Sequence, residues 1–355
     1  MTTKKWRVAG INFAHMHMRE LLDIVMESPS AEVVGISDSS IERMTPSVER
    51  LGLSEAQVFT DYQACLETTR PEIVILCPAT AEHGEWVERV APFGAHLIVE
   101  KPFAANLMEA DRMISAAREN RVRLMINWPI RWQASHSTAK QALQEGVIGE
   151  VLEVHHYDGN RGPLLHSSKR SEVSLSEKKE SWFYQQSKGG GSLLDYLGYG
   201  VTFGTWFLNG RTPLEITTIT DGPEGLDVDE HSVTIAKYST GLSTFVTRWG
   251  TMSDPWIQQP QPKCGFIIVG SEGTLSSYDL EPTLAIQTRQ DTVIKRIVAD
   301  ENKPPFQNPI QYFVNCLEQD TAIEGPLGTD LCRIGQKIVD LALESAKAKK
   351  TLSYR

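Results

Sequence analysis

Apolar and polar positions follow two different rhythms along the chain. Over the first third, short β-branched runs alternate with helical patterns, which predicts a parallel sheet with crossover helices. Trp6–Ala9 reads as a strand, residues 10–15 as a turn and residues 16–26 as a helix. EVVGIS (residues 32–37) is a second strand that ends at Asp38, and IVILC (residues 73–77) a buried one closed by Pro78. A helix follows over residues 83–91, a strand over 96–99, an amphipathic helix over 107–120 and a last strand over 123–126. This is the doubly wound layout of a dinucleotide-binding fold.

Beyond residue 127 the period changes to two. Residues 151–157, 214–220, 232–238, 243–249, 266–269 and 283–287 alternate apolar with polar. They predict a large open, mostly antiparallel sheet with one solvated face. Helical patterns over residues 133–145 and 193–208 interrupt it, and polar, glycine-rich loops fill 160–191. Residues 311–317 and 331–349 are helical again. The expected class is therefore α/β: a Rossmann domain over residues 1–126, then an α+β domain over 127–355 whose C-terminal helix can pack back on the first.

Composition narrows the partners. A chain of 355 residues exceeds what one core usually supports. The formal charge of −10, without a basic run, argues against nucleic acid. The opening MTTKKWRVAGINF reads as neither a secretory signal nor a membrane span, and no stretch reaches about 18 apolar residues. Five scattered cysteines without a CxxC suggest reduced thiols and a cytoplasmic protein.

Four segments carry candidate chemistry. The turn Gly10-Ile11-Asn12-Phe13-Ala14-His15 has the glycine that a dinucleotide fold needs at its first strand end, followed by backbone amides suited to a pyrophosphate. Asn12 and His15 replace the second and third glycines of the usual GxGxxG, and a plain strand–helix turn would read the same. Asp38, ending the second strand, is placed to accept from adenosine ribose hydroxyls. No arginine follows it directly, which favours NAD over NADP. In CPATAEH (residues 77–83), Pro78, Thr80 and His83 stand where ligands bind in open α/β sheets, though Thr80 could simply cap a helix. Glu100-Lys101-Pro102 projects a lysine from the same edge, able to polarise a carbonyl or lower a hydroxyl's pKa, with Asn127 ending the neighbouring strand. In GGGSLLDYLGY (residues 189–199), Asp195 and Tyr199 share a helical face, and a tyrosine near a lysine is a plausible acid/base. Tyr157, Asn160, Arg161 and Trp182 offer aromatic faces and polar groups for a polyol. The histidines predict no metal: His15 and His17 are two apart, His155 and His156 face opposite sides of a strand, and no third ligand falls at a usual spacing. The acidic Asp227, Asp229 and Glu230 read as a solvated turn.

Taken together and in order, the opening βαβ unit, CPATAEH, the EKP at Lys101, EGVIGEV (residues 145–151), GGGSLLDYLGY and GSEGTLSSYD (residues 270–279) resemble the glucose–fructose oxidoreductase / inositol dehydrogenase / MocA family over nearly the whole chain. The resemblance implies that Lys101 lies close to the nicotinamide and that Asp195 and the residue four on belong to the substrate site. That second position is Tyr199 here, where most members have histidine. It also implies a sheet that joins subunits into a homodimer or homotetramer. The expected reaction is hydride transfer at a carbinol carbon of a sugar, sugar acid or inositol, with Lys101, Asp195 and Tyr199 as catalytic residues. A non-catalytic dinucleotide sensor and a glycosidase that oxidises its sugar transiently are the alternatives.

Overall fold

A computed structural model describes residues 4–166 and 168–355. Its first elements are β1 (Trp6–Ile11), α1 (His17–Glu27), β2 (Ala31–Ser37), α2 (Ile41–Leu51), β3 (Val58–Phe59), α3 (Tyr62–Thr69) and β4 (Ile73–Leu76). They continue with α4 (His83–Val90), β5 (His96–Glu100), α5 (Leu107–Glu119) and β6 (Leu124–Asn127). Then come α6 (Ala134–Gln144), β7 (Val151–Asn160), α7 (Leu175–Glu180), α8 (Ser192–Phe207), β8 (Glu215–Asp221), β9 (His231–Lys237) and β10 (Leu242–Trp249). The chain closes with β11 (Gly265–Gly270), β12 (Gly273–Tyr278), β13 (Thr283–Thr288), β14 (Lys295–Val298), α9 (Pro309–Glu318), α10 (Thr329–Ala348) and β15 (Leu352–Ser353).

Two compact units result: residues 1–127 with 303–329, and residues 128–302 with 330–355. The segment carrying α9 thus falls in the first unit, although it lies far along the chain, whereas α10 falls in the second. Trp6 Nε1 donates to Glu318 across 3.2 Å, and the His96 ring meets Phe313 edge-on at 6.5 Å, so α9 covers the start of β1 and β5.

The first unit holds an all-parallel sheet ordered β3-β2-β1-β4-β5-β6. β4 and β6 are buried at every position, as strands covered by helices on both faces must be. The order reverses between β1 and β4, and the crevice at such a switch point is where α/β sheets bind ligands. Gly10 is required by packing: a Cβ there would stand 2.9 Å from Met18 Sδ and 3.2 Å from Leu22 Cδ2, so α1 lies directly on β1.

The second unit holds a nine-stranded sheet ordered β14-β13-β12-β11-β7-β10-β9-β8-β15. Its pairings are antiparallel except β7 with β10. α8 crosses one face so closely that Cβ atoms at Gly200 and Gly204 would stand 2.9 and 3.0 Å from the Phe245 ring. The other face is open, with Ile219 opposite Val233 and Val246 opposite Tyr157 along the strand pairings. No helix among the described residues is long and apolar enough to cross a membrane.

Candidate functional site

In the first unit the turn after β1 closes on itself. Asn12 adopts φ 67°, the left-handed region that asparagine tolerates best among residues with a Cβ. Its Oδ1 accepts the Ala14 amide at 3.0 Å. The Phe13 amide donates to Asp38 Oδ2 at 2.6 Å, and the His15 amide to the Cys77 carbonyl at 2.9 Å. Asp38 is buried at the end of β2, and its Oδ1 accepts the Ser40 amide at 2.8 Å. No arginine follows Asp38 in sequence, but the first turn of α2 brings Arg43 Nη1 to 3.6 Å from that same oxygen.

The carboxyl edge of β4 and β5 is a buried polar cluster. Pro78 and Thr80 are both buried there. His83, fully buried at the start of α4, bonds through Nδ1 to the Phe103 carbonyl at 3.2 Å. Burial pulls its pKa down to about 4, so the ring is neutral. Glu100 is wholly inaccessible: Oε1 lies 2.8 Å from His17 Nδ1, and Oε2 accepts from Asn127 Nδ2 at 2.9 Å. Burial alone would raise its pKa, yet His17, Lys101 and Asn127 together outweigh burial and lower it, so Glu100 is a carboxylate. Lys101 follows, 5% exposed, joined to Pro102 by a cis peptide. The first unit therefore gathers Gly10–His15, Asp38, Pro78, Thr80, His83, Glu100, Lys101 and Asn127 along one sheet edge. It adds His17, which sequence spacing alone did not connect to Glu100.

In the second unit, α8 carries Asp195 and Tyr199, both buried. Asp195 Oδ2 accepts Trp249 Nε1 at 3.3 Å, and the Tyr199 ring meets Trp128 edge-on at 5.0 Å and Tyr196 at 5.8 Å. Trp128 in turn donates to Cys332 Sγ at 3.4 Å, which pins the indole. The glycines before α8 answer to local crowding: a Cβ on Gly190 would stand 2.2 Å from the Phe183 carbonyl, and Gly191 has φ 109°. Gly191 has no side chain to cap the helix, so Asp229 does so from 37 residues away, accepting Ser192 Oγ at 2.5 Å and the Leu193 amide at 2.9 Å. Asp229 is thus not a solvated turn residue, because its carboxylate is taken up by the end of α8.

The four polyol candidates part company. Asn160 ends β7 on the α8 side, donating to the Tyr196 hydroxyl at 2.7 Å and accepting the Gly162 amide at 2.7 Å. Tyr157, three residues earlier, stands on the opposite, open face, since strand side chains alternate. Arg161 spends its guanidinium on main-chain carbonyls of Leu165, Ser168 and Arg170, and its amide donates to Asp254 at 3.0 Å, so it holds the loop after β7. Trp182 stacks on Phe183 with ring centroids 3.8 Å apart. Trp249, Tyr196, Asp254 and Asp229 were not singled out as site residues in the sequence, where nothing but tertiary proximity marks them.

Residues 4–128 match the "Oxidoreductase family, NAD-binding Rossmann fold", and residues 136–276 the "GFO/IDH/MocA C-terminal domain". A dTDP-3,4-didehydro-2,6-dideoxy-alpha-D-glucose 3-reductase from Actinomadura kijaniata is 28% identical over 57% of this chain and 56% of its own. A myo-inositol 2-dehydrogenase from Thermotoga maritima is 30% identical over 38% of this chain and 40% of its own. The matches thus span about half the length of the curated relatives. The crystal structure of an aldose-aldose oxidoreductase from Caulobacter crescentus, complexed with glycerol, superposes with TM-score 0.79 at 17% identity, covering 99% of this chain and 100% of that one. At that identity the likeness shows the fold alone. Two contiguous matches on a six-stranded Rossmann sheet and a nine-stranded open sheet place this chain in the GFO/IDH/MocA oxidoreductase family.

Proposed function

We propose that this chain is an NAD-dependent dehydrogenase or reductase that moves a hydride to or from a carbinol carbon of a sugar, sugar acid or inositol-like polyol. The observation that carries the reading is Lys101: an ammonium almost removed from water at the carboxyl edge of the parallel sheet, next to a carboxylate fixed by two partners. Lysine is almost never buried without a partner or a task. The sugar and inositol names of the relatives support the substrate class.

The residues present fit the dinucleotide. Gly10 and the left-handed Asn12 shape the turn, and Asp38 at the end of β2 suits ribose hydroxyls while opposing a 2′-phosphate, with Arg43 already drawn to it. Bound NAD supplies the hydride acceptor or donor. Lys101 stabilises negative charge on the substrate oxygen. Tyr199 exchanges the hydroxyl proton, and Asp195, steadied by the Trp249 indole, orients the reacting groups. Asn160 lies on the same side of β7 as α8 and supplies a polar contact to substrate, whereas Tyr157 belongs to the open face.

That open face supports self-association. Ile219, Val233 and Ile235 are 73%, 36% and 41% exposed on it, and a homodimer or homotetramer would cover them. All five cysteines are free and buried, which suits a cytoplasmic location.

The test is Lys101→Met, assayed by NADH absorbance against a panel of aldoses, sugar acids and inositols. Turnover is expected to fall by roughly 10²-fold or more, with dinucleotide binding retained in a fluorescence titration. Normal turnover in the variant would overturn the assignment.

A further inference from the structure

His15 and His17 lie two apart in sequence, too few and too close for a metal motif on their own. The fold supplies the missing donor: Glu100 arrives from β5, and one nitrogen of each ring and one Glu100 oxygen all lie within 4.8 Å of one another. We propose that His15, His17 and Glu100 form a divalent transition-metal site of the zinc class at the carboxyl edge of the parallel sheet.

Three observations bear on it. Ligands held about 2.1 Å from a tetrahedral ion stand roughly 3.4 Å apart. His17 Nδ1 and Glu100 Oε1 are 2.8 Å apart, a hydrogen bond that an ion would replace with only a small parting of the two atoms. Glu100 is oriented by Asn127 through its second oxygen. His15 Nδ1 accepts the His17 amide at 3.2 Å, so its lone pair points inward and an ion would take it in place of that amide. The Asn127 bond is an outer hydrogen bond of the kind that holds a ligating carboxylate in place. His15 and Glu100 are buried while His17 is partly open, so an ion has both a dry pocket and an entry path.

The donor set selects among ions. Two imidazoles and one carboxylate favour Zn²⁺ over Mg²⁺, which prefers oxygen. Lys101 is a positive neighbour, so the site draws its ion by nitrogen donors rather than by net charge. Three protein ligands leave a fourth position for water or for an oxygen-bearing ligand such as a hydroxyl, carbonyl or phosphate. The site does not rest on the hydride-transfer reading.

The test uses the full chain, stripped with chelator and free of dinucleotide. Calorimetric titration with ZnCl2 is expected to show one ion per chain, and Co²⁺ to give visible absorption bands that Zn²⁺ abolishes. His17→Asn and Glu100→Gln should each weaken binding at least tenfold. The buried Glu100 variant could fail to fold, so its melting curve accompanies it, and the partly exposed His17 variant carries the test alone if needed. No stoichiometric binding by the native chain, or unchanged affinity in His17→Asn, would overturn the proposal.

Discussion

The cap on α8 gives the most exacting test of the second unit. Asp229 accepts two hydrogen bonds at the helix start, yet burial dominates and raises its pKa from 3.8 to about 6. In the unfolded chain the group titrates near 3.9. A carboxyl whose folded pKa is raised contributes most stability below the unfolded value, and that contribution is lost as pH rises through the folded value. For these two pKa values the linkage gives about 2 kcal/mol lost between pH 4.5 and 7. Asp229→Asn keeps the shape and one acceptor but cannot titrate, so it lacks this term. The gap in stability between native and variant chains should therefore move by about 2 kcal/mol in the variant's favour over that range. Guanidinium unfolding followed by tryptophan fluorescence, at four pH values from 4.5 to 7.5, measures it. A constant gap would show that burial does not raise the Asp229 pKa. A gap moving the other way would mean that its hydrogen bonds and the helix end lower the pKa instead.

Two further outcomes follow from local packing. Gly198→Ala places a Cβ 2.6 Å from Trp128 Cη2 on an indole already bonded to Cys332. Overpacking costs about 1–3 kcal/mol and helix propensity returns about 1, so the melting temperature should fall by a few degrees; no fall would mean that the indole moves freely. Asn12→Val forces a β-branched residue to φ 67° and removes the acceptor for the Ala14 amide. It should lose about 1–3 kcal/mol and weaken dinucleotide binding, whereas Asn12→Gly keeps the turn; equal behaviour of the two variants would refute the left-handed requirement.

Much of the fold was legible because buried parallel strands and open-face strands write different periods. IVIL of β4 and the alternation of β9 are cases in point. The segments that escaped have weak patterns for physical reasons. α2 contains Pro46 and buries only Met44 and Ser47, and β14 is an edge strand exposed at all four positions. β12 was noticed as a motif rather than a strand, since its serines and threonine mask the alternation. The first-unit candidates lay along one edge because strand ends in a parallel sheet necessarily do. In the second unit, Tyr157 and Asn160 are an odd number apart on one strand, and that parity already separated their faces. Asp229 and Trp249 gave no such signal: their roles arise from contacts 36 and 54 residues away.

The altered glycine turn shows what the fingerprint encodes. Its letters stand for three requirements, and each can be met otherwise. Close helix packing needs the glycine at position 10, where a Cβ would strike Met18. Left-handed backbone needs glycine or a residue whose short polar side chain can bond locally, and Asn12 does so to Ala14. The third requirement, amides that face an anion, is the one this chain changes. The Phe13, Ala14 and His15 amides are engaged by Asp38, Asn12 and Cys77 respectively. A pyrophosphate reaching this turn competes with those internal acceptors, one of them a carboxylate that it would also repel. Each exchange of one good acceptor for another yields only a small net gain. The turn by itself therefore offers a pyrophosphate little net gain, and tight retention would have to be supplied by contacts elsewhere.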